Sequence, residues 1–197
     1  ASTDEAPTAI ELPIAYLPAL SISAGQLQWS FGASSLVAHD WRASYRAIDD
    51  SSGRLIVELP QLQIAELPLR ALKLDLALSP HRIERGVLEA WGSGDSLEIE
   101  LRSSFELGLG VSRPVKLVLE ATVEAPLDSL NGRLQAEVSG ALQPLQLAGT
   151  LSGEGQVPGL SAVEWQGQLH TDGARFNLDS LRVELLGGEI TGRTSYA

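Results

Sequence analysis

The chain has 197 residues, of which 44% are hydrophobic and 20% are charged, and its formal net charge at pH 7 is −11. This composition argues against a disordered chain, and the acidic balance argues against a nucleic-acid partner, because phosphate neutralisation needs a basic face. The absence of cysteine excludes disulfides and thiolate chemistry. No stretch approaches the roughly 18 consecutive apolar residues of a transmembrane helix, and residues 1–7 lack the features of a signal peptide.

Apolar and polar residues alternate along most of the chain. In chain order, the alternation appears in residues 55–59, 72–78, 97–101, 105–109, 134–138 and 181–185. A period of two places successive side chains on opposite faces of a β-strand, so each run predicts a half-buried strand with one apolar and one polar face. We expect an all-β fold of short strands, about five or six residues each, at a spacing of roughly 8–12 residues.

Turn-forming residues separate these runs. They occur at residues 49–53, 79–81 and 92–95, and in the pairs Asn131-Gly132 and Asp172-Gly173. Asn-Gly and Asp-Gly favour tight hairpins, because both central residues of such turns need positive φ. The pattern therefore predicts a long antiparallel meander.

Two segments leave a helix open as an alternative to a strand. Residues 34–46 have a mixed pattern with Trp29 and Trp41 nearby, and residues 80–91 begin with a proline that could start a short helix. Gly86 lies within the second segment at a point where a turn would break a helix. Another pair of strands is therefore the preferred interpretation.

The apolar residues are unusually rich in leucine. The chain contains 34 leucines against 20 valines and isoleucines, and only 5% of its residues are aromatic. Strands normally favour β-branched residues, which pack well on a pleated surface. A smooth aliphatic face of this kind suits acyl chains, but the same leucines would also suit the core of a β-sandwich.

Sequence motifs for catalysis or cofactor binding are missing. Residues 153–159 are only loosely similar to a glycine-rich phosphate loop, because the spacing is wrong and Pro158 would block the helix that should follow. These residues are predicted to form a turn. We expect neither enzymatic activity nor a cofactor.

The titratable residues also favour a structural interpretation. His39, His81 and His170 are far apart in sequence and are predicted to lie on the surface. Acidic residues such as Glu98 and Glu100 alternate with apolar ones, as expected for a solvated strand face. The sequence leaves open that two carboxylates meet across neighbouring strands.

From residue 115 onward the strands follow an apolar-x-apolar-x-Gly pattern. It recurs in residues 117–121, 134–140, 145–153, 165–169 and 181–192, the last of which contains the pair Gly187-Gly188, and residues 20–29 follow the same style. This pattern resembles the AsmA-like superfamily of bacterial envelope proteins. Within that superfamily it is most similar to the periplasmic part of the TamB family, with the YdbH family as the alternative.

The resemblance implies an elongated, curved antiparallel β-sheet whose apolar concave face forms a taco-like groove. Members are anchored in the inner membrane by an amino-terminal helix and cross the periplasm. They are implicated in moving phospholipid between the inner and outer membranes and in outer-membrane biogenesis. The TamB family also partners an outer-membrane barrel protein of the TamA type and is linked to autotransporter assembly. Residues 1–197 would then be one segment of a longer periplasm-spanning protein.

Strict alternation with polar residues identifies the side chains expected to line the groove and contact phospholipid acyl chains. They are Leu72, Leu74, Leu76, Leu78, Leu117, Leu119, Leu134, Val138, Leu145, Leu147, Val183 and Leu185. Two alternatives remain. One is a chaperone-like scaffold that binds unfolded outer-membrane strands by β-augmentation. The other is a β-sandwich adhesin or carbohydrate module, which the scarcity of aromatic residues disfavours.

Overall fold

A computed structural model describes residues 9–14, 19–31, 34–64, 69–93, 98–125, 130–156, 162–171 and 175–196. These ranges form thirteen β-strands and contain no α-helix. None of the described residues form a helix that is long and apolar enough to cross a membrane. The strands are β1 (Leu20–Phe31), β2 (Ser34–Asp49), β3 (Ser52–Leu59), β4 (Gln61–Ile64), β5 (Leu69–Ser79), β6 (Arg82–Ser93), β7 (Glu98–Gly108), β8 (Pro114–Ala125), β9 (Leu130–Leu142), β10 (Leu145–Gln156), β11 (Val163–Thr171), β12 (Phe176–Leu185) and β13 (Gly188–Tyr196).

All thirteen strands belong to one open antiparallel sheet. Its order follows the chain from β1 to β13, except that β4 pairs with β2 and lies off this path. The predicted all-β antiparallel meander is therefore confirmed. The β-sandwich alternative is wrong for the described residues, because they form one sheet and the elements in extensive contact are neighbours within it, apart from β4 against β5.

The strands are longer than predicted. β2 has 16 residues and β9 has 13. Two turns predicted at glycines are wrong. Asn131-Gly132, predicted to form a tight turn, lies inside β9, and residues 153–156 of the turn predicted at 153–159 belong to β10. In β10 the glycines fall at odd-numbered positions, as the leucines do, so they lie on the same face as the leucines and continue the strand.

The other local predictions have mixed outcomes. Turns do occur at Asp50-Ser51 and at Pro80-His81. Residues 34–46 lie in β2 and residues 82–91 lie in β6, so the helix alternative is wrong for both segments. Of the turn predicted at residues 92–95, Gly92 and Ser93 belong to β6, so the prediction is wrong for them. Residues 94–95 and Asp172-Gly173 lie outside the described residues.

The positions that face the apolar side change parity along one row across the first strands of the sheet. Asp40 of β2 has φ of 54° and lies between the positions of Gly25 in β1 and Pro60, which separates β3 from β4. On either side of this row the apolar side chains change parity, since Ala38 belongs to the buried cluster with Leu59 and Leu62 and Trp41 packs against the same cluster. Aspartate tolerates the left-handed conformation and proline cannot continue a ladder, so the three strands can change parity here and keep their apolar residues on one face.

Cross-strand ion pairs occupy the polar face of the sheet. Arg54 binds Asp75 through two hydrogen bonds, Nε to Oδ1 at 2.8 Å and Nη2 to Oδ2 at 2.5 Å. Further pairs join neighbouring strands along the sheet: Lys73–Glu58, Arg82–Glu106, Arg102–Glu89, Lys116–Glu137 and Arg133–Glu120. The side chains of these pairs are 27–64% exposed, so water screens their attraction and their main effect is to keep this face hydrated.

An extended segment, residues 9–14, lies across one end of the opposite face. Ile10 N–H donates to Leu109 O at 2.8 Å and Leu12 N–H donates to Pro80 O at 2.9 Å, so the segment runs past the β7–β8 and β5–β6 connections. Ile14 is 1% exposed and packs with Tyr45, Leu76 and Leu78. We call residues 9–14 the strap.

Candidate ligand-binding face

The register of the sheet places all twelve groove residues predicted from sequence on one face, called here the apolar face. Directly paired residues in antiparallel strands share a face, and the pairing can be followed from strand to strand. One row runs Leu72, Ala90, Leu101, Ala121, Leu134, Gly153, Trp165 and Val183. The next rows carry Leu74, Leu76, Leu78, Leu117, Leu119, Val138 and Leu147 at positions of the same parity, and Leu145 and Leu185 lie at the ends of their strands on this face.

The apolar face is closed at one side of the sheet and open at the other. Both clusters of buried apolar side chains found in the described residues lie on β2–β7, and the strap belongs to one of them. Leu76 and Leu78 are each 8% exposed there, and Val138 further along is 7% exposed. The remaining nine predicted groove residues are only half-buried.

Sequence reasoning missed the strap and most of the glycines of the apolar face. Leu12 and Ile14 follow the same period of two as the strands, so the alternation could have identified them. Aromatic rings cover three of the glycines. The side chain of Tyr45 lies over Gly53, that of Phe105 over Gly86, and that of Trp165 over Gly153, so that a Cβ at any of these glycines would overlap the ring.

A depression of about 340 Å³ opens on the apolar face between β8 and β11. Its floor is formed by Gly132 and Gly155, which pair directly across β9 and β10. The apolar lining consists of Ala121, Val123, Leu134, Val163 and Trp165, with Asn131, Arg133, Glu154 and Gln156 at the border. This depression lies at the opposite ends of the strands from the strap, because the strap contacts the β5–β6 and β7–β8 connections.

The polar face carries a row of acidic residues that the sequence could not reveal. Glu154, Glu164, Glu184 and Glu189 pair directly across β10, β11, β12 and β13. Arg182 partly neutralises the row, with Nη2 at 2.9 Å from Glu184 Oε1 and 3.0 Å from Glu189 Oε2. Carboxylates therefore do meet across strands, on a face exposed to solvent.

The titratable groups elsewhere are dispersed. His39, His81 and His170 are exposed, and His170 Nδ1 lies 3.0 Å from Asp179 Oδ2. Within the described ranges, no three histidine, aspartate or glutamate side chains are grouped so that they could hold a metal ion. The most extensive feature with the form of a binding surface is the apolar face.

No protein-family model matches this sequence, and no curated protein or solved structure matches it either. Function must therefore be inferred from the geometry of the apolar face.

Proposed function

We propose that this chain is a periplasmic lipid-binding segment of an AsmA-like, TamB-type bridge protein, and that its apolar face holds phospholipid acyl chains. The full-length protein would be anchored in the inner membrane, move phospholipid between the inner and outer membranes, and engage an outer-membrane barrel partner of the TamA type. The role of this segment is to bind and guide lipid, without catalysis and without a cofactor.

One observation carries the proposal: a continuous apolar face runs across an open sheet, and the described leucine side chains on β8–β12 are at most half-buried. Leaving a leucine side chain in water costs about 1.5–3 kcal/mol, so a face of this kind is costly unless something covers it. An acyl chain gains about 0.8 kcal/mol for each methylene that it buries. Twelve hydrogen-bonded strands at a spacing of about 4.8 Å give a face roughly 50 Å across, long enough for several chains.

The chemistry of the apolar face supports movement of lipid as well as binding. Its side chains are aliphatic, apart from a few aromatic rings and a few hydroxyl groups such as those of Ser103 and Thr171, and the cross-strand ion pairs lie on the opposite face. An acyl chain would therefore be held without charged anchors and could shift from one strand to the next.

Mass spectrometry of lipids extracted from the purified protein tests the proposal directly. After expression in a Gram-negative host and export to the periplasm, the protein should retain phospholipid through gel filtration. A second acidic, exported β-protein purified in parallel is the control. Phospholipid at the level of this control would contradict the proposal.

A second candidate function is supported by the sheet edges. Among the described residues, β1 pairs only with β2 and β13 pairs only with β12, so each has one side free of strand partners. Free edges are the template for β-augmentation by an unfolded outer-membrane or autotransporter strand. Hydrogen exchange distinguishes the two functions: added barrel polypeptide should slow exchange of the β13 amides if this second function is correct, whereas lipid should not.

A further inference from the structure

The outer edge of β1 lacks the features that normally protect a free sheet edge. An edge strand exposes unpaired N–H and C=O groups, and natural proteins block such an edge with charged side chains, with proline or by keeping the strand short. β1 (Leu20–Phe31) has 12 residues, none of them charged and none of them proline. Among the described residues it pairs with β2 alone. This edge is therefore open to a further strand.

The uncharged composition is peculiar to β1. Of the thirteen strands that the structure describes, all except β1 and the four-residue β4 contain at least one aspartate, glutamate, lysine or arginine. The edge strand on the other side of the sheet, β13, carries Glu189 and Arg193. Because an edge strand needs protective charges more than any inner strand does, their absence from β1 indicates an edge that is paired.

Apolar side chains on β1 remain uncovered. Leu20, Ile22 and Leu27 are 38–50% exposed. They lie on the apolar face, because their direct partners on β2 include Tyr45 and Ala38, which belong to the buried clusters of that face. A strand added at this edge would place its own side chains beside these three and remove part of their surface from water.

Charge does not keep two copies of the chain apart at this edge, although the whole chain has a formal net charge of −11. β1, β2 and β3 together contain three basic and three acidic residues, which are Arg42, Arg46, Arg54, Asp40, Asp49 and Glu58. The four strands β10–β13 contain five acidic residues and two basic ones. Two copies that meet through β1 therefore bring the neutral sides of their sheets together and keep the acidic sides apart.

We propose that β1 is the interface between two copies of this chain, which pair antiparallel about a two-fold axis perpendicular to the sheet. Such an axis leaves both faces where they are, so the two apolar faces become one continuous surface and the two polar faces another. A parallel pair about an axis within the sheet would place apolar side chains of one copy beside polar side chains of the other. This inference goes beyond the proposed lipid-binding function and does not depend on it.

A second copy is the partner that the composition of β1 favours. An identical uncharged strand meets β1 without repulsion, whereas β1 has no charge with which to select a different partner. On the polar face the exposed side chains of Ser21, Ser23 and Gln28 can form hydrogen bonds across the new pair of strands.

Sedimentation of the full chain over a concentration series measures the association and should give twice the mass of one chain. Ile22→Lys places a charge on the edge in both copies and should raise the dissociation constant of the dimer about tenfold. Ile190→Lys is the matched control, because Ile190 is exposed on the same face of the other edge strand, and it should leave the dissociation constant unchanged. If Ile22→Lys melts below the parent chain, Ser21→Lys places the charge on the exposed polar face instead, opposite Ser44.

Cross-linking identifies the edge that is used. Because the chain has no cysteine, one introduced thiol is the only site for a bismaleimide. Ser23→Cys should yield a covalent dimer, since both copies present this position in the common ladder. Thr191→Cys, on the polar face of β13, should remain a monomer under the same denaturing conditions of detection.

Each other outcome overturns the interface. A parent chain that stays monomeric up to its solubility limit rules it out, and lipid retention is measured separately, so that result leaves the proposed function standing. A dimer that persists with unchanged affinity in folded Ile22→Lys and Ser21→Lys shows that the copies meet elsewhere, as does cross-linking through Thr191→Cys alone. A monomer whose β1 amides are protected from hydrogen exchange by added barrel polypeptide contradicts self-pairing and favours the second candidate function.

Discussion

The ring of Phe105 lies over Gly86, its direct cross-strand partner on the apolar face. We expect Gly86→Ala to lower the free energy of unfolding by about 1–3 kcal/mol, because the added methyl group must displace the ring. Gly132→Ala is the control and should be neutral or stabilise the protein by up to about 1 kcal/mol, since its methyl group enters open space. Urea denaturation of the two variants measures both changes, and equal effects would contradict this account of the glycines.

The β12–β13 hairpin has a turn whose chemistry can be improved. Its central residues, Leu186 and Gly187, have φ of 54° and 74°, and Leu186 is 66% exposed. The left-handed conformation costs an ordinary residue roughly 1–2 kcal/mol, and asparagine tolerates it better. Leu186→Asn should therefore raise the melting temperature by about 2–4 °C, the equivalent of about 1 kcal/mol for a domain of this size. Leu186→Ala, which keeps the conformational cost, should give little or no gain.

The sequence predicts the fold well because alternation of apolar and polar residues is a local signal. Parity alone predicts that Leu117, Leu119 and Leu134 share a face, and the register agrees. Strand length was underestimated, since glycine has the same sequence signature in a turn and at a covered position in a strand. Whether Gly153 ends a strand or lies under Trp165 depends on the partner strand, which the local sequence does not specify.

The closed part of the apolar face could not be predicted for a related reason. Ile14 reaches Leu76 and Leu78 only because the chain returns across the sheet, and no local pattern encodes that crossing. The parity change at Asp40 was equally hidden, since a single aspartate between apolar residues is also typical of an ordinary loop. The identity of any ligand is not encoded in the alternation, which is the same for a core and for an exposed groove.

The acidic row on the polar face predicts a stabilising charge change. Glu164 lies directly between Glu154 and Glu184, and like charges directly opposite one another destabilise a sheet. Glu164→Lys should raise the free energy of unfolding by about 0.5–1 kcal/mol at low salt, with a smaller gain at about 1 M salt. Glu100→Lys is the matched control, because Glu100 pairs with Trp91 and Thr122 and has no acidic partner in either register. An equal gain at both positions would attribute the effect to net charge alone.

The Arg54–Asp75 pair predicts a weak dependence of stability on pH. Hydrogen bonding to Arg54 lowers the pKa of Asp75 below its usual value of 3.8. A lowered pKa in the folded state means that the stabilisation is present above pH 3.8 and is lost as the pH falls through the pKa of the folded state. Asp75→Asn should therefore lower the free energy of unfolding at neutral pH by less than about 1 kcal/mol, because both side chains are partly exposed. The difference between parent and variant, measured by denaturation, should shrink as the pH is lowered below 3.8, and a difference that stays constant through this range would contradict the ion-pair origin.

Leu78 and Leu119 lie in different halves of the apolar face, and substituting each with aspartate distinguishes the roles of the two halves. Leu78 is 8% exposed and packs in the cluster of Ile14, whereas Leu119 is half-buried between Ser103 and Ala136. Leu78→Asp should unfold the protein or cost several kcal/mol, because it buries a carboxylate without a partner. Leu119→Asp should leave the protein folded, since water can solvate the carboxylate when no lipid is present, and it should reduce retained lipid because an acyl chain cannot pass a charge. Thermal melting and lipid mass spectrometry on the same samples check both changes. Unfolding of Leu119→Asp would show that this half of the face is a closed core, and a folded variant with full lipid content would show that acyl chains do not pass Leu119.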